Sequence, residues 1–144
     1  MKRFHAIAAI LLLALPFLSA NCHHEPEEDP LVIDGQWQIS HFSTKSVSIG
    51  GQTVDIYIDF QTGGNFEMYQ MLGTGRYRKF TGTWKLTDKL LTGSYTGGQA
   101  WASSYEVIMD DSRTQLTLTS TSTPQEISTY RKQTIPQDVI NNAL

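Results

Sequence analysis

The chain has 144 residues, enough for one domain with one modest hydrophobic core. Its formal net charge is −3, and a single cysteine rules out any intramolecular disulfide. An acidic balance argues against nucleic acid or an anionic lipid surface as partner, because both select a basic face.

At the N-terminus, Lys2 and Arg3 precede an unbroken apolar run at residues 6–18, which Ser19 and Ala20 close. A charged start, a short apolar centre and a small-residue exit are the parts of an export signal, here residues 1–21. The run is too short for a membrane-spanning helix, which needs about 20 apolar residues. Cys22 follows at once. The stretch Leu18-Ser19-Ala20-Asn21-Cys22 resembles a bacterial lipobox, whose cysteine becomes the acylated first residue of a lipoprotein. It departs from that pattern in being shifted by one, with Asn21 where a small residue is usual. The alternative is cleavage after Ala20, leaving Cys22 as a free thiol. An exposed, unpaired thiol is a liability in an oxidising compartment, which favours acylation by palmitate-class chains.

Removing residues 1–21 leaves nine basic against fourteen acidic side chains, a net charge near −5. Residues 22–32 then form an acidic tether with HHEPEEDP at 23–30, which has two prolines and nothing to bury. His23 and His24 belong to that flexible stretch and read as tail rather than as metal ligands. The acidic residues after the cysteine resemble the signal that sends Bacteroidetes lipoproteins to the outer face of the outer membrane. That resemblance implies a surface-exposed lipoprotein of the cell envelope.

Residues 33–144 form the folded domain. Short alternating runs broken by Gly, Asn, Asp and Thr predict eight strands, at 36–43, 53–60, 65–71, 76–86, 90–96, 102–110, 115–122 and 126–132. In the second, Val54, Ile56, Ile58 and Phe60 share one face while Asp55, Tyr57 and Asp59 take the other. Period two marks a half-buried strand. Gly63-Gly64 and Gly73 to Gly75 supply the positive φ angles of tight turns, and Asp110 to Arg113 and Ser122 to Gln125 carry turn chemistry. Nothing between the strands has helical periodicity, so parallel crossovers are excluded. Eight sequential antiparallel strands leave two open edges unless they close, which predicts an all-β, up-and-down barrel. A two-sheet sandwich is the alternative, but the loops are short for Greek-key crossings. Residues 135–144 predict a short helix with Pro136 in its first turn, or else a frayed tail.

Gly35-Gln36-Trp37 opens the first strand, and it resembles the Gly-x-Trp motif that begins the lipocalin barrel. Gly64-Asn65-Phe66 and Gly82-Thr83-Trp84 are similar to motifs of small lipocalin-like Bacteroidetes lipoproteins, a resemblance covering residues 33–133. It implies that Trp37 plugs the closed end and that Arg131, late in the last strand, stacks across its ring. The Thr-Asp-Tyr motif of larger lipocalins is missing from the sixth turn, where Asp110-Asp111 stands instead.

No hydrolase elbow, zinc helix, phosphate-cradling loop or cysteine pair is present, so no enzyme activity, cofactor or metal is expected. His41, the only histidine of the folded domain, falls on the Trp37–Ile39 face and reads as a lining or core residue. Asp55 and Asp59 are roughly 13 Å apart along a strand, too far for a glycosidase pair. Arg76, Arg78 and Lys79, with Tyr77 and Phe80 interleaved, read as a solvated edge. Tyr77, Tyr95, Trp101 and Tyr105 are the aromatics expected around the open mouth, opposite Trp37, near residues 44–52 and 72–75.

The expected function is therefore a monomeric, lipid-anchored barrel holding a small apolar or amphipathic ligand, with no nucleic-acid partner. The alternative is a non-catalytic envelope interaction or inhibitor protein with a filled barrel.

Overall fold

The computed structural model describes residues 29–44 and 53–144. The export signal, Cys22 and most of the tether lie outside the described residues, as does the loop at 45–52. Eight strands follow in chain order: β1 (Gly35–Thr44), β2 (Val54–Gln61), β3 (Asn65–Leu72), β4 (Arg78–Thr87), β5 (Leu90–Tyr95), β6 (Tyr105–Met109), β7 (Gln115–Ser120) and β8 (Glu126–Lys132). One short helix, α1 (Gln137–Asn142), comes last. Each strand pairs antiparallel with the next, and β8 pairs with β1. The sheet thus closes as the all-β, up-and-down barrel expected, and closure removes both edges. No helix among the described residues is long and apolar enough to cross a membrane.

Alternation decides which side chains fill the barrel. Ile56, Ile58, Phe60, Phe66, Leu91, Val107, Leu116, Leu118 and Tyr130 face inward and make one buried core. Asp55 and Asp59 face outward, where they accept hydrogen bonds from Gln38 and Gln36. Tyr57 and Tyr69 also face outward, yet both are buried, because α1 lays Ile135 and Val139 over them. Beyond the end of β5, the open edge of β4 is covered by the chain terminus: Lys79 N–H donates to the Leu144 carbonyl and Leu144 N–H to that of Tyr77.

Two places depart from simple alternation. Ser40 is bulged out between Ile39 and His41, which pair with Tyr130 and Thr129. A bulge inserts one residue and reverses the facing beyond it. His41 is therefore exposed on the outer wall, not on the Trp37 face that plain period two assigned. The sixth strand starts at Tyr105 rather than 102, because the preceding segment folds back on β5. Ala100 bridges Ser94, and Trp101 N–H donates to the Gly93 carbonyl.

Candidate ligand-binding site

The closed end is built first by β1. Gly35 enters it with φ +116°, a conformation that other residues rarely adopt. Two residues on, Trp37 is 1% exposed, and its Nε1–H donates to the Ile33 carbonyl at 2.8 Å. Buried Ile33 lies on the chain segment that leads into β1. A cation does cover the indole, but it is Lys132, whose Nζ lies 5.3 Å from the ring centroid. Arg131 is not there. The register pairs Trp37 with Lys132 and Gln38 with Arg131, and consecutive residues point to opposite faces. Arg131 stands on the outer wall and donates to Gln38 Oε1 at 3.1 Å. A one-residue difference in register moves the whole side chain through the wall.

Above the floor, three of the four aromatics expected at the mouth come together inside. Trp101 packs edge-on against Phe66 with centroids 5.2 Å apart and against Tyr105 at 6.2 Å. Tyr95 reaches Phe66 at 6.1 Å and Phe80 at 5.9 Å. These edge and tilted arrangements suit the quadrupoles of the rings. Space for Trp101 comes from Gly93: a Cβ there would sit 2.5 Å from the indole ring. Trp101, Tyr95, Tyr105, Phe80 and Met68 are only partly buried, so the aromatic half of the interior is not sealed.

Tyr77 is the exception. β4 begins at Arg78, and Phe80 and Gly82 pair with inward Met68 and Phe66. Tyr77 therefore falls on the outer parity. There its hydroxyl donates to Asp55, and its ring lies 6.0 Å from Tyr57, beside α1. Burial pushes the Tyr77 hydroxyl pKa up, and the neighbouring Asp55 adds to that shift.

The opposite inner wall is polar in part. Tyr130 is buried and its hydroxyl, hydrogen-bonded to Ser128, is pushed up to about 12 by burial. Ser120 Oγ accepts the Glu126 N–H at 2.8 Å. Tyr105 is raised by burial first and then by the charge of Glu126. Sequence reasoning passed over Phe66, Phe80, Gly93, Ser120 and Glu126 as site residues. Strand parity carries the signal for each except Gly93, whose role depends on the fold-back at Trp101.

Two clefts open near this framework. One of about 490 Å³ lies where β5 and β6 part, since their pairing stops at Leu91–Tyr105. Trp101 and Gly93 form part of its wall, with Ser103, Ser104 and Thr121 around them. Its volume is within the range of small-molecule sites. The other, about 710 Å³, is at the closed end between Leu31–Val32 and Ile108–Met109 and holds none of the interior aromatics. Among the described residues, no group of three metal-ligating side chains occurs.

A closed eight-stranded meander has an interior just wide enough to be filled by side chains or to hold one small ligand. Residues 33–118 match the lipocalin-like domain family, and the chain belongs to it. Among solved structures, a de novo designed fluorescence-activating β-barrel is similar at 14% identity and a TM-score of 0.43, over 70% of this chain and 94% of that one. No curated protein matches the sequence.

Proposed function

We propose that this lipocalin-like protein is exported, held at the cell envelope by acylated Cys22, and binds a small apolar or amphipathic molecule without catalysis. The observation that carries the binding part is the gathering of Tyr95 and Trp101 on Phe66, with Tyr105 against Trp101, partly exposed beside a cleft of about 490 Å³. Rings left half-covered next to an opening are what an apolar guest would finish burying. The anchor rests on the lipobox resemblance, with the outer membrane as its site, and two or more acyl chains are needed for stable attachment.

Quenching of tryptophan fluorescence by a panel of fatty-acid analogues and small lipids tests the binding. Trp101→Ala is expected to weaken the tightest member by at least ~1 kcal/mol, a modest part of a buried aromatic's contribution. Silence across the panel would favour the filled-barrel interaction protein, whose partner would then be sought at the larger cleft beside exposed Val32 and Ile108. For the anchor, Cys22→Ala is expected to leave the membrane fraction. Retention there under high-salt washing would remove it.

A further inference from the structure

The segment that links Cys22 to the barrel reaches it at the closed end. Asp29 lies 3.7 Å from Arg113 of the β6–β7 turn, and Leu31 and Val32 then pass beside Ile108 and Met109. Ile33 follows, and its carbonyl takes the Trp37 Nε1–H of the floor. In the meander this end holds the turns after β2, β4 and β6, while those after β3, β5 and β7 stand at the mouth. Residues 23–28 lie between Cys22 and Asp29, so seven Cα-to-Cα steps span at most roughly 25 Å. A bilayer that held Cys22 would lie within that distance of the closed end.

The outer wall there is apolar where solvent would select polar residues. β6 turns Val107 and Met109 inward and Ile108 outward, and Ile108 is 64% exposed. Leu90 opens β5, pairs with Glu106 and is therefore the diagonal neighbour of Ile108 on the outer face. It is 40% exposed, and Val32, which lines the same cleft as Ile108, is 48% exposed. The outward positions of β4 and β7 carry Thr83, Lys85, Thr87, Thr117 and Thr119 instead. Three aliphatic side chains grouped on one solvated wall differ from the single ones scattered over ordinary surfaces. Around the patch, Asp29, Asp88 and Asp111 outnumber Lys89 and Arg113, a balance unsuited to anionic lipid.

We propose that the closed end of the barrel rests on the membrane, with Val32, Leu90 and Ile108 in the headgroup region of a zwitterionic bilayer. This rests on the anchor reading above and deepens it. The tether holds the patch at high local concentration over the lipid, so a small apolar area suffices to orient the domain. Strands of about eight residues, tilted as in other barrels, put the mouth roughly 20 Å further out. A ligand would then enter and leave through the aqueous phase, not sideways from the bilayer. The larger cleft, where the rival reading would seat a protein partner, faces lipid.

The test uses the full acylated chain in liposomes of phosphatidylcholine and phosphatidylethanolamine, some bearing a nitroxide on the headgroup. The lipid on Cys22 leaves it no thiol, so a cysteine introduced as Asp111→Cys at the closed end, or as Thr74→Cys at the mouth, takes a fluorophore alone. The label at position 111 is expected to lose most of its emission to the nitroxide, and the label at 74 little. Changing Val32→Thr and Ile108→Thr together should lower the docked-to-free ratio read at position 111 roughly tenfold, the scale of two buried methyl groups. The acyl chains should still float that variant with the liposomes. Equal quenching at both labels, stronger quenching at 74, or undiminished quenching in the double variant overturns the docked closed end alone. A wild-type chain that carries no acyl mass, or does not float with the liposomes, overturns the anchor reading with it.

Discussion

At the floor of the barrel, Trp37, Ile33, Phe60, Leu91, Val107 and Leu116 are each 1% exposed or less. At the mouth, the same alternating strands leave Leu72 59% exposed and Phe80, Tyr95 and Trp101 half-covered. Both regions obey one pattern, yet only the floor spends its inward residues on a packed core. The mouth keeps apolar area uncovered. On the proposed ligand-binding reading, a guest would use the region where burial is incomplete, because a fully packed interior has nothing left to offer it.

That contrast can be broken first at the floor. Trp37→Ala is expected to destabilise the domain by about 3–5 kcal/mol, as for other fully buried aromatics, in a denaturant titration. A loss below ~1 kcal/mol would mean that the floor does not hold the fold. Between the regions stands Gly93. Gly93→Ala places a methyl against the Trp101 ring, and the overpacking is expected to cost about 1–3 kcal/mol. Trp101 emission should shift to the red as the ring is pushed outward, and an unchanged spectrum would deny the close packing.

A smaller effect sharpens the account of the floor. Lys132→Ala is expected to cost about 0.5–1 kcal/mol, the scale of an exposed cation–π contact. In double-mutant cycles its loss should couple to that of Trp37, whereas Arg131→Ala should add independently. Coupling of Arg131 instead would restore the arrangement implied by the family motif.

The smallest effect lies in the turn between β6 and β7. The Ser112 hydroxyl and the N–H groups of Gln115 and Thr114 hold the Asp110 carboxyl down at about 2, below its ordinary 3.8. A depressed carboxyl contributes stability above its unfolded value, and that contribution is lost as pH falls toward 2. Asp110→Asn should flatten this acid limb slightly without changing ligand binding. An unchanged acid limb would show that the turn bonds do not persist in solution.

The barrel itself was legible because its signal is local. Val54 to Phe60 alternates without a break, the glycine and aspartate turns fall where β2–β3 and β6–β7 join, and eight sequential strands have one economical closure. Gly35 and Trp37 at the floor, and Tyr95, Trp101 and Tyr105 above it, were legible from order and motif.

What the chain could not declare was facing wherever facing depends on a partner strand. The Ser40 bulge turned His41 outward, the start of β4 at Arg78 put Tyr77 outside and Arg78 inside, and the β1–β8 register gave the Trp37 ring to Lys132. Tyr57 shares the face of Asp55 and Asp59 in the sequence pattern, and it is buried only because α1 covers it. Period-two alternation is encoded residue by residue, so the sequence alone determined strands, turns and closure. Phase, register and coverage arise from contacts between residues far apart in the chain, and only the tertiary structure decided those.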